Sequence, residues 1–152
     1  MATEVAADGE RTLDIGAMEI GSAPLTGYAF AQDDCGPEPR NYGDCFAIAG
    51  DGTHYVFFGG GISIVSLETP EAFDAARRRL PMQLRHGDPI DQVRTAFERE
   101  FGIKFTRVDR PNGSRILSTD FEIRTRRGLL TWLELEGDEH GRLLRVRQGT
   151  DF

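Results

Sequence analysis

An α+β fold, built as two tandem units of helix plus antiparallel β-meander, is what the sequence predicts. Three observations carry this expectation. Short alternating apolar runs recur between glycine-rich turns, as in Ala49-Gly50-Asp51-Gly52 and Phe58-Gly59-Gly60-Gly61. Segments with the 3.6-residue period are short and few. And the two halves of the 152-residue chain repeat one order, helix and then strands. A chain of this length makes one domain or two small repeated units, enough to bury a core.

The strongest element is a helix over Asp88–Phe101. Asp88 is an N-cap candidate, Pro89 suits the first helical position and Asp91 sits near the positive helix end. Ile90, Val93, Phe97 and Phe101, with Ala96 beside them, form its apolar stripe, and Gly102 ends it. A shorter helix is expected over Pro70–Leu80, capped by Thr69 and stopped by Pro81, with Phe73, Ala76 and Leu80 inward. Another opens at Ser22-Ala23-Pro24 and takes in Leu25, Tyr28 and Ala29, although Gly27 weakens it.

The remaining segments read as strands. Cys45–Ala49 and His54–Phe58 flank the Gly50-Asp51-Gly52 hairpin turn, and Ile62–Leu67 follows the glycine run. Lys104–Val108, a long Arg115–Thr125, Leu129–Glu136 and Arg142–Arg147 complete a second meander. The units divide at 11–68 and 69–152, with 69–81 a helical linker and the two packed as one globular body.

Alternation then assigns faces. Leu117, Thr119, Phe121, Ile123, Leu133, Leu135, Leu144 and Val146 are expected to pack on a helix. The opposite face displays Glu122, Arg124, Trp132, Glu134, Arg145 and Arg147. Tryptophan among arginines on a solvated sheet is the composition of a protein-binding surface, and it is also what results when Arg stems merely cover a ring.

Charge is divided unevenly. Residues 1–76 hold two basic and 13 acidic side chains, net −11; residues 77–152 hold 16 and 12, net +4, and the chain totals −7. An acidic half makes a poor nucleic-acid surface and suits a protein partner with a basic surface or active site. Mean hydropathy is −0.39, and no apolar run approaches 18 residues, so membrane insertion is not expected. No charged leader precedes an apolar stretch, which predicts a cytoplasmic chain. Cys35 and Cys45 form either a loop-closing disulfide or two free thiols. A disulfide in a processed chain would instead indicate a periplasmic or secreted protein.

Catalytic and metal signals are sparse. Gly59-Gly60-Gly61 lacks the lysine and following helix of a phosphate loop, and no G-x-S-x-G elbow occurs. Asp51 with His54, or Cys45 with a distant histidine, has no supporting signature. The cysteines have no C-x-x-C spacing, and His54, His86 and His140 are scattered. Neither a metal nor a cofactor is expected, nor is enzymatic activity.

Internal similarity adds a further clue. Met18-Glu19-Ile20-Gly21-Ser22-Ala23-Pro24 leads to Ala29-Phe30, as Met82-Gln83-Leu84-Arg85-His86-Gly87-Asp88-Pro89 leads to Ala96-Phe97. With Cys35, Tyr42-Gly43-Asp44-Cys45, Gly50-Asp51 and Tyr55-Val56-Phe57-Phe58, the pattern resembles the β-lactamase inhibitor protein family. More distantly it is similar to small outer-membrane assembly lipoproteins with the same unit. The resemblance covers most of the chain from about residue 13; it implies two tandem units forming one concave sheet, in a bacterial inhibitor or immunity protein that clasps a toxin or hydrolase. Asp51 matches the acidic hairpin tip that enters the target, with Tyr42 and Tyr55 beside it. The second half has no cysteine pair and its face is more charged, so a β-lactamase target does not follow. An envelope assembly or scaffold protein is the alternative, and a small hydrolase a more distant one.

Overall fold

The computed structural model describes residues 11–22, 30–33 and 44–150. The described strands pair antiparallel, and one isolated parallel bridge joins Thr12 to Arg124. The strands are β1 (Phe30–Asp33), β2 (Asp44–Ala49), β3 (His54–Phe58), β4 (Gly61–Leu67), β5 (Thr106–Asp109), β6 (Arg115–Ser118), β7 (Ile123–Arg124), β8 (Leu130–Gly137) and β9 (Leu143–Gly149). They form one open sheet in the order β1-β2-β3-β4-β9-β8-β6-β5, with β7 paired to β8 beside that path. β4 and β9 therefore join two meanders: Ile64 opposes Gly149, Val65 opposes Gln148 and Ser66 opposes Arg147.

Local chemistry explains most of the elements. Gly59 and Gly60, at φ 64° and 87°, make the two-residue turn between β3 and β4, a conformation that matches strand twist and that side chains resist. Between β2 and β3, Asp51 Oδ1 accepts from Thr53 N at 2.9 Å. In the β8–β9 turn, Asp138 Oδ1 accepts from His140 N and Arg142 N.

Helix α1 (Pro70–Ala76) carries the expected cap, with Thr69 Oγ1 accepting from Ala72 N. It is shorter than the sequence suggests: a 3-10 turn over Arg77–Arg79 follows, and Leu80 is extended. The residue before a proline is pushed out of the helical region, and Pro81 comes next. Helix α2 (Ile90–Phe101) ends at Gly102 in the left-handed conformation, as anticipated. Its start differs. Asp88 does not cap α2; its carboxylate accepts from Arg85 N and closes the preceding turn. The helix anticipated from Ser22 to Ala29 lies outside the described residues.

The long strand expected over Arg115–Thr125 is broken. Thr119 Oγ1 accepts from Leu133 N while donating to Asp120 O, and Glu122 N bonds Asp120 O, so the chain bends before β7. Phe121 is consequently exposed rather than packed inward. A bulge between Glu136 and Gly137 shifts the start of β9, so Leu143 takes the buried place expected for Leu144.

One core joins the buried face of the sheet to α1 and α2, including Phe73, Val93 and Phe97 against Leu117, Leu133 and Val146. The segment 11–22 forms a strap within this core. Leu13, Ile15, Met18 and Ile20 are buried, Leu13 N bonds Arg124 O, and Gly21 N bonds Ile62 O. Gln148 holds the middle of the strap. Its amide nitrogen donates to Leu13 O and Thr131 Oγ1, and its oxygen accepts from Ile15 N at 3.0 Å. Cys45 sits in a disulfide; Cys35, the other cysteine of the chain, lies outside the described residues. Among the described residues, no helix is long and apolar enough to cross a membrane.

Two outcomes are expected. Gln148→Leu keeps the volume but strands buried groups of the strap, so urea unfolding should show a loss of about 2–4 kcal/mol. An unchanged midpoint would mean that the strap is held by apolar packing alone. The Arg142 N bond, opposed by desolvation and aided by the His140 N bond, holds the Asp138 carboxyl below its ordinary value of 3.8. The ionised form thus stabilises the native state above that value, and the contribution is lost as pH falls through the folded pKa. Asp138→Asn should shrink the drop in urea midpoint between about pH 6 and pH 3.

Candidate functional site

Strand register arranges the face opposite the helices into three rows. The first crosses five strands: Phe46 (β2), Val56 (β3), Ile64 (β4), Gly149 (β9) and Trp132 (β8). It is apolar, and Phe46 is 44% exposed. The second runs Ile48, His54, Ser66, Arg147, Glu134, Ser118 and Thr106. The third pairs Arg145 with Glu136, beside Glu68 just beyond β4.

Trp132 lies flat because Gly149 has no side chain. A Cβ there would stand 2.5 Å from Trp132 Cζ2 and 3.0 Å from Ile64 Cγ1. The ring is therefore seated on the backbone of β9, at the joint between the meanders. The Arg147 guanidinium carbon is 5.8 Å from the ring centroid, within cation–π range, and Arg147 Nη1 is 3.6 Å from Glu134 Oε2.

The charged row is continuous. Arg145 hydrogen-bonds Glu136 and stands 3.6 Å from Glu68, whose Oε2 also accepts from Ser66 Oγ and lies 3.8 Å from His54 Nδ1. Burial works against the Arg145 charge, but the bond to Glu136 and the charges of Glu136, Glu68 and Glu134 outweigh it and raise its pKa. Glu68, His86, Glu136, Leu144 and Arg145 surround an open depression of about 320 Å³. Among the described residues no group of three or more His, Cys, Asp or Glu side chains could hold a metal ion.

The expected site residues divide. Trp132, Glu134, Arg145 and Arg147 share this face, and Arg124 joins its margin through the β7–β8 pair with Leu130. Glu122 lies in the bend ahead of β7, exposed but outside the ladder. Tyr55 is a correction. It points into the core, fully buried, with its hydroxyl accepting from Met18 N, because it alternates with the outward Val56. Asp51 does lie at the hairpin turn, but the tip is docked: a Cβ on the neighbouring Gly52 would meet Thr69 Oγ1 at 3.0 Å. Tyr42 lies outside the described residues.

Sequence reasoning missed Phe46, Val56, Ile64, Glu68 and Glu136. The alternation of Phe46 with Ala47 and of Val56 with Tyr55 was the available signal, once the hairpin register is set from Gly50-Asp51-Gly52. No family model, curated protein or solved structure matches the chain.

Gly149→Ala should displace the indole of Trp132, the only tryptophan in the chain. Its fluorescence emission is expected to shift to the red, with a stability loss of about 1–3 kcal/mol. Unaltered emission would show that the ring does not depend on the bare backbone beneath it.

Proposed function

We propose that this chain is a non-catalytic protein-binding module, an inhibitor or immunity protein that occludes a bacterial toxin or hydrolase with the open face of its sheet. The observation that carries the reading is the outward apolar row Phe46–Val56–Ile64–Trp132, exposed at Phe46 and partly buried along the rest, bordered by rows of charge, on a sheet whose other face is filled by the core. Protein interfaces place apolar and aromatic anchors at the centre and charge around them. A sheet presents such anchors already ordered, so little entropy is lost on docking.

The tandem-unit architecture belongs to the same proposal. The strand order reads β1-β2-β3-β4 and then β9-β8-β6-β5, so the last strands of two meanders meet and the first strands lie at the edges. This mirrored order supports a duplicated unit and the resemblance to the β-lactamase inhibitor protein family, with the two meanders forming one concave surface. Asp51 enters as a carboxylate fixed on a rigid turn, and the acidic first half favours a basic target. The disulfide at Cys45 favours an oxidising compartment.

The test is affinity capture from the source cells with the full chain and with variants. Wild type should retain a stoichiometric protein partner, with affinity falling as salt rises from about 0.1 to 1 M. Phe46→Arg and Trp132→Ala should each weaken it by about 30-fold or more, the scale of an interface anchor. A chain that emerges alone at every concentration, or a partner held equally by both variants, would overturn the reading.

A further inference from the structure

On the core side of the sheet, four separate segments meet around a second concavity. The strap, the 3-10 turn after α1, the end of α2 and the turn after β7 enclose about 270 Å³, room for a small solute rather than a protein side. Its charged lining is Arg11, Arg78, Arg79 and Arg126 against Asp14 and Glu100. In a chain of net charge −7 this is a local excess of two positive charges.

How far each arginine is already committed decides what the cleft can bind. Arg11 pairs with Glu100 at 3.3 Å, and Arg126 stands 3.6 Å from Glu19 and 3.9 Å from Asp14. Arg79 is held differently. Its Nε donates to the carbonyl of Ile15 at 3.3 Å, its charge acts on Asp14 without an ion-pair contact, and its buried Nη2 has no hydrogen-bond partner. Arg78, exposed beside it, makes no hydrogen bond or ion pair among the described residues. Two adjacent guanidinium groups, neither in ion-pair contact with a carboxylate among the described residues, therefore border one small cleft. Guanidinium groups match tetrahedral oxyanions with paired donors.

Asp14 is the group that opposes an anion here. Its Oδ2 already accepts from Arg126 N, and it is almost fully buried. Desolvation raises its pKa, against the lowering effect of the Arg126 N bond, so the carboxylate is less readily ionised than a surface one. Glu100 is occupied by Arg11.

We propose that this cleft is an anion site for a phosphate group, free or carried by a small monoester, with Arg78 and Arg79 as its principal donors and Arg11 and Arg126 at its rim. The site is independent of the sheet-face reading. Because Arg11 to Asp14 form one wall, an occupant bridges the strap to the turn after α1 and stabilises the native state by mass action.

The full chain is titrated with inorganic phosphate and with glycerol phosphate, sodium chloride holding ionic strength constant. Calorimetry and the thermal midpoint are the readouts. Saturable one-to-one binding with a rising midpoint is expected, and tighter binding of the monoester or of the free ion identifies which form the cleft takes. Arg78→Gln should weaken binding about tenfold or more, the scale of one charged hydrogen bond, without loss of fold because Arg78 supports no other group. Arg85→Gln removes the same charge from an exposed position outside the cleft and should leave binding unchanged. No saturable binding by wild type beyond the chloride control, or equal weakening by both variants, would overturn the proposal.

Discussion

The pairing of β4 with β9 is the constraint on which the molecule depends. It joins two meanders that are distant in sequence, and its register decides what each face shows. With Val65 opposite Gln148 on the core side, Ile64 and Gly149 must lie opposite each other on the outer side. A slip of one residue would exchange the faces, sending Gln148 outward and leaving the strap without its hydrogen bonds. Gln148 makes such a slip costly. A fully buried amide with three partners on the strap and on Thr131 cannot move without stranding polar groups in the core.

The same register links core and surface through two consecutive residues. Gln148 faces inward and binds the strap; Gly149 faces outward and receives the Trp132 ring. The indole is thus located by the strand whose inner face is pinned by the amide. Phe46, Val56 and Ile64 fall in line with it because the pairs β2–β3, β3–β4 and β4–β9 keep one phase at that level. The register shift after Val56 leaves Ser63 of β4 as the extra residue and sets Ile62 inward opposite Phe57 without disturbing the row.

Local signals were legible in the sequence, and non-local ones were not. The α2 stripe, its Gly102 stop, the Thr69 cap, the two glycine turns and the alternation of β8 are properties of adjacent residues, and the structure carries them all. Asp88 misled because its carboxylate had a nearer backbone amide to accept from, that of Arg85. Thr119 breaks its strand through a side-chain bond to Leu133, a partner 14 residues away. The strap has no regular period and reads as a loop, yet it is buried because the sheet and Gln148 supply what its backbone needs. Tyr55 belongs to the aromatic strand that carries the family resemblance, which suggests a partner-facing ring, whereas its own alternation with Val56 places it inside. The apolar row required the β4–β9 register, which no local pattern encodes.

The charged rows bear on what the outer face is for. Partly exposed ion pairs such as Arg147–Glu134 contribute modestly to stability, roughly 0–1 kcal/mol each for pairs that water still reaches. A fold does not need a continuous line of them across three strands. In the proposed binding role they set a penalty for the wrong neighbour: Arg145, gripped between Glu68 and Glu136 with a buried Nε lacking a partner, would accept coverage only by a surface that supplies matching polar groups. An apolar row alone would attract any apolar surface. Flanked by charges that must be matched when water is excluded, the row would discriminate in the proposed role, through groups whose part in the stability of the isolated chain is modest.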